Sequence, residues 1–139
     1  MTYVLAGPLQ EAVFGRLTSD AALGALVGAA IHDAVPPVDP ADAPDVQVVL
    51  GEERVRDWST ATSDGAAHEF TVTVHARTEG FKRAKEAAAA VCEALLGAPL
   101  SLTRGAVVNL RFMFARADRG PASRPRTIAL RFRAVLEDV

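Results

Sequence analysis

At 139 residues, with 50% hydrophobic and 23% charged side chains, the chain has the makeup of one globular domain, spanning 1–139, and lies far from the low-hydrophobicity, high-charge signature of disorder. No apolar run approaches the ~20 residues of a membrane span, and no basic stretch precedes an apolar core at the N-terminus, so no membrane partner is expected. A single cysteine excludes an internal disulfide, and the net charge of -2 argues against a strongly basic or acidic protein as a whole.

Pro8 suits the first turn of a helix, and Leu9, Ala12, Val13 and Leu17 supply its apolar stripe. Thr18 or Ser19 can cap a second short helix, with Asp20 favouring its N-terminus, Leu23, Leu26 and Val27 as the buried face and Gly28 as the stop. Between Ala34 and Asp45, four prolines and two aspartates predict an extended surface connector. Val46 to Leu50 is short and nearly all apolar, which predicts a strand buried on both faces or paired centrally and ended by Gly51. The stretch from Glu52 to Ala67, with Trp58 and a Thr-Ser-Asp-Gly turn, reads as a long loop.

The segment from Glu69 to Leu96 is the centre of the pattern. Phe70, Val72, Val74 and Ala76 alternate with polar residues, the period of a strand with one buried face. After Gly80 the period becomes helical, with Phe81, Ala84, Ala88, Val91, Cys92 and Leu95 on one stripe. Cys92 on that stripe reads as a packing residue rather than a reactive thiol. Gly97 and Pro99 close the helix, and a strand follows in which Val108, Leu110, Phe112 and Phe114 are expected on the core face and Asn109, Arg111 and Met113 on the other. A turn rich in arginine, from Asp118 to Arg126, leads to a last strand with Ile128, Leu130, Phe132, Ala134 and Leu136 inward and Arg131 and Arg133 outward. The expected fold is α+β, a four-stranded mainly antiparallel sheet covered on one side by helices in the order ααββαββ.

Catalytic chemistry finds no foothold. His68 and His75 fall on opposite strand faces by parity, and the histidines show no HxH, HxxxH or HExxH spacing, so neither a metal nor another cofactor is expected. There is no GxSxG elbow and no glycine-rich phosphate cradle, and Glu52 and Glu53 are adjacent residues that point apart. Charge is unevenly divided: residues 1 to 103 carry 7 basic and 14 acidic side chains, residues 104 to 139 carry 8 arginines and 3 acids. Either the two parts neutralise each other within one fold, or they offer complementary patches to neighbouring copies. The basic residues Arg111, Arg116, Arg119, Arg124, Arg126, Arg131 and Arg133 also raise nucleic acid as a partner, without the outward aromatic residues of a base-stacking surface. Trp58, alone among charges, is a lid on the domain or an anchor for a partner.

Taken in order, Ile31-His32-Asp33, the proline stretch, Val48-Val49-Leu50-Gly51-Glu52, Asp57-Trp58-Ser59-Thr60, Glu69 to Val74, the alanine-rich helix and Leu130-Arg131-Phe132-Arg133-Ala134 resemble the small tail-terminator or tail-completion proteins of long-tailed phages, especially their relatives in prophage-like gene transfer agents. The resemblance spans nearly the whole chain, with Asp45 and His75 standing where the family commonly has aromatic residues. It implies a non-enzymatic structural protein that caps the head-proximal end of a tail tube as a homo-oligomeric ring, usually of six copies, and presents a surface to the connector. The protein would be assembled in the bacterial cytoplasm and carried in the particle's tail, with the tail tube protein and head-tail connector proteins as partners and DNA contacted only in passing through the lumen. The interface residues expected on this reading are Arg56, Asp57, Trp58, Arg119, Arg124, Arg126, Arg131 and Arg133. The competing class is a small dimeric ligand-binding or enzymatic α+β domain with a pocket near Trp58 and His68.

Overall fold

In the structure, a computed structural model that describes residues 2–34, 44–77, 82–118 and 126–139, two helices lead the chain. α1 (Ala6–Ser19) buries Ala6, Leu9, Val13 and Leu17 on one stripe. α2 (Ala21–Val27) is capped by Asp20, whose carboxylate accepts the Leu23 amide at 2.9 Å. Thr18 and Ser19 are not the cap: their hydroxyls donate back to Phe14, Gly15 and Arg16 carbonyls within α1. Only a residue already in extended conformation, as Asp20 is at ψ 122°, directs its side chain at the free amides of the next turn. Gly28 ends α2 at φ 61°.

The sheet has five strands, not four. β1 (Ile31–His32) runs parallel to β2 (Val46–Asp57), and β2 pairs antiparallel with β3 (Gly65–Ala76). After α3 (Lys82–Leu96), β4 (Ala106–Asp118) and β5 (Arg126–Glu137) form a second antiparallel pair, and β5 inserts beside β3 to give the order β1-β2-β3-β5-β4. The element order is therefore ααβββαββ, since a two-residue strand has no period to read and exists only because Ala30 accepts the Val48 amide along the edge of β2.

The stretch from Glu52 to Asp57 is strand rather than loop. β2 continues through Gly51, crosses a bulge between Leu50 and Glu53, and stays paired to β3 as far as Asp57 opposite Ala66. The true connection is Trp58 to Asp64. It is held by Trp58 N–H donating to Gly65 O at 3.0 Å and by Ser59, whose hydroxyl reaches Asp57 and Asp64.

All three helices lie on one face of the sheet. Its core is the face formed by Val46, Val48 and Leu50 of β2, the even-numbered residues of β3 and the even-numbered residues from Ile128 to Leu136 of β5. α3 lays Ala84, Ala87, Ala88, Val91, Ala94 and Leu95 on that surface, as its periodicity predicts, with Cys92 half-buried at the margin. Phe81 lies outside the described residues, as does most of the proline connector. Arg16 fastens α1 to the end of α3 by donating to the carbonyls of Ala94, Ala98 and Pro99 at 2.9–3.0 Å, which satisfies acceptors that a helix end leaves open.

Candidate assembly surfaces

Two surfaces of the sheet are left bare by the described residues, and both take their character from strand pairing. The first is β4. It lies at the edge of the sheet, its outer side meets no described strand, and nearly every residue along it is exposed. Its apolar residues include Val108 at 58%, Phe112 at 42%, Met113 at 38% and Phe114 at 55% exposure. This corrects the expectation that Val108, Leu110, Phe112 and Phe114 share a buried face. Bulges between Val107 and Asn109 and between Phe112 and Phe114 shift the register twice. Val107, Leu110 and Phe112 face the helix side with Leu136, Ala134 and Phe132, whereas Phe114 pairs with Arg131 and so faces away.

The second bare surface is the sheet face opposite the helices. Register places Arg54 and Arg56 of β2, Arg131 and Arg133 of β5, and Arg111 and Arg116 of β4 together on it. The row Arg54–Glu69–Arg133–Arg111 crosses four strands. Arg133 lies over the Trp58 ring at 4.6 Å and Arg131 over the Phe114 ring at 5.7 Å. None of the six arginines forms an ion pair with a described residue, in contrast to Arg104, which holds Asp138 at 2.7 Å at the far end of the sheet.

The sequence-predicted interface set is thus divided. Arg56, Arg131 and Arg133 meet on the bare face and Trp58 folds onto it. Asp57 and Arg126 pair with Ala66 and Ala76, residues of the helix side. Arg119 and Arg124 lie outside the described residues. Arg54 belongs to the bare face and was hidden by the reading of its segment as a loop; its alternation with Arg56 was the available signal.

His68 and Trp58 do not line a common pocket. His68 is fully buried on the helix side between Val55 and Ala134, neither ring nitrogen has a described hydrogen-bond partner, and burial pushes its pKa down, so it is neutral. His75 is on the opposite face, as parity requires. No three metal-ligating side chains come together among the described residues.

A groove runs along α1 near the other edge of the sheet. Tyr3, Gln10, Glu11, Phe14, Asp33 and Glu53 line it, and partial burial raises the Glu53 carboxyl. It carries negative charge and two exposed aromatic rings at the side of the sheet remote from β4.

The model of the family described as "Tail completion protein gp17" matches residues 11–137. The chain belongs to the gp17 family of tail completion proteins. A solved structure described as "Virion of native gene transfer agent (GTA) particle" contains a chain 48% identical to it, with a TM-score of 0.88 over 98% of this chain and 99% of that one. No curated protein matches the chain. A tail completion protein is a structural component of a virion tail and not an enzyme. No helix among the described residues is long and apolar enough to cross a membrane.

Proposed function

We propose that this tail completion protein terminates the head-proximal end of a tail tube as a ring and joins it to the head-tail connector. The observation that carries the reading is β4: an isolated domain gains nothing by leaving the outer edge of a 13-residue strand without a described partner and Val108, Phe112, Met113 and Phe114 in water. A ring built from one repeated contact needs two different, complementary patches on each subunit. The exposed apolar edge at β4, with Val108, Phe112 and Met113, and the groove along α1, with the exposed rings of Tyr3 and Phe14, are such a pair, at opposite sides of the sheet. The bare arginine face, with Arg56, Trp58, Arg131 and Arg133, is then free for a further partner. Asp57 and Arg126 sit at its ends toward the helix side, and Arg119 and Arg124 belong to the same contact on this reading.

Sedimentation over a concentration series, with electron images of the protein alone and with tail tubes, tests the reading. A discrete closed ring that sits on tube ends is expected, and Phe112→Ser is expected to shift the distribution toward the single subunit. A protein that remains monomeric at every concentration and leaves tubes uncapped overturns it.

A further inference from the structure

We infer that the uncovered arginine face binds the phosphate backbone of duplex nucleic acid without regard to sequence. Six guanidiniums, from Arg54, Arg56, Arg111, Arg116, Arg131 and Arg133, project from one side of a four-strand surface whose register-matched acids are Glu69, Asp118 and, at the end of β5, Glu137, which accepts from the Ser63 hydroxyl. The imbalance is concentrated on this face, although the chain as a whole has a net charge of -2. A guanidinium answered by no carboxylate among the described residues is available to an outside anion, and its fork geometry matches phosphate.

Two features favour a nucleic-acid backbone over an acidic protein. Protein interfaces are built around an apolar, charge-depleted centre, whereas nucleic-acid interfaces are polar and strongly positive. The middle of this face is Thr71, Thr73, Glu69 and arginine, with Ala67 and Val49 buried and Val135 partly buried, while the exposed rings of Phe114 and Trp58 lie against Arg131 and Arg133. Apolar surface is instead concentrated along the β4 edge. The same layout favours a duplex over a single strand. Single-strand binders offer bare aromatic faces on which bases stack, but here Trp58 and Phe114 each carry an arginine of the same chain on a ring face. Twelve strand residues extend about 40 Å, slightly more than the roughly 34–36 Å of one duplex turn, so several phosphates fall within reach at once.

The inference rests on reading this face as a partner surface rather than as the subunit contact, and it does not depend on subunit number. Its test is fluorescence anisotropy of the full-length protein with two labelled 30-base-pair duplexes of unrelated sequence, titrated with salt, while sedimentation of the same samples reports assembly. Equal binding of both duplexes is expected, weakening by about a hundredfold or more between 50 and 200 mM salt. The triple variant R54A/R111A/R116A, whose three side chains are exposed, is expected to lower the steepness of the log–log salt dependence by about three while keeping its melting temperature and its oligomeric state. K82A, on the helix side, is expected to change neither. Absence of duplex binding at 50 mM salt, a triple variant that binds as wild type, or a polyglutamate that competes as well as unlabelled duplex overturns the proposal. A wild-type ring that does not bind duplex leaves the assembly reading standing without this one. Duplex binding by a protein that never forms rings does the reverse.

Discussion

The guanidinium carbon of Arg133 lies 4.6 Å from the centroid of the Trp58 ring, so the only tryptophan of the chain is held down by a cation on the open side of the sheet rather than by the core. Trp58 is 51% exposed, and a cation–π contact at such a site is worth about 0.5–1 kcal/mol. Trp58→Ala is therefore expected to lower unfolding free energy by no more than about 1 kcal/mol in a urea titration. An interface anchor of this kind contributes about 2 kcal/mol or more, so the same variant should weaken binding of the partner that occupies this face at least tenfold while leaving the oligomeric state unchanged. A loss of stability above about 3 kcal/mol would place the ring in the core.

Gly105 introduces β4 at φ 76°, where a Cβ would meet Glu137 O at 2.7 Å and Leu5 Cδ1 at 2.8 Å. The conformation disfavours any other residue, and the neighbouring carbonyl is backbone that cannot swing aside. Gly105→Ala is expected to cost about 2–3 kcal/mol, read as a lower thermal midpoint. Gly7→Ala, at a position with open space around it, should leave that midpoint nearly unchanged and serves as the comparison.

On α3, Val91 is fully buried and Glu93 exposed. Val91→Asp places an unpaired carboxylate against the sheet, at a cost of several kcal/mol against a total of ~5–15. Glu93→Ala should stay within about 0.5 kcal/mol of the parent. Equal effects of the two in a thermal melt would contradict the packing of this helix.

His68 predicts an acid limb of stability. Burial holds its folded pKa below the ordinary 6.5, so between those two values the unfolded chain binds the extra proton and the slope of unfolding free energy with pH is positive. Stability should accordingly be undiminished above about pH 6.5 and fall as the pH drops below it, by up to about 1.4 kcal/mol per pH unit for one histidine. His75 is lowered in the same direction by burial and adds to the same limb. His68→Leu removes a buried polar ring whose nitrogens have no described partner, so it should flatten part of this dependence and raise stability at pH 7. Denaturant titrations at pH 5 and pH 7 decide the matter, and an unchanged difference between the two values would count against the neutral, buried state.

What could be read from residues alone is what depends on local periodicity. The alternation from Phe70 to Ala76 and from Ile128 to Leu136, and the stripe of Ala84, Ala88, Val91 and Leu95, each follow from the repeat of one element, and each buries the predicted face. The outward direction of Arg131 and Arg133 was legible for the same reason. Cross-strand pairing settled the rest. Nothing in Arg111-Phe112-Met113-Phe114 says that Met113 is skipped in the register; the skip exists because β5 pairs on both sides of it, and it turns Phe114 from the helix side to the arginine face. Likewise Glu52 to Asp57 has the composition of a loop, yet it continues a strand because residues 66–70 offer it hydrogen-bonding partners across the bulge. Arg54, Arg133 and Arg111 are far apart in the chain and become one row only through the order β2-β3-β5-β4. Faces follow from sequence when an element meets the core by itself; surfaces shared by several strands are decided by which strands become neighbours.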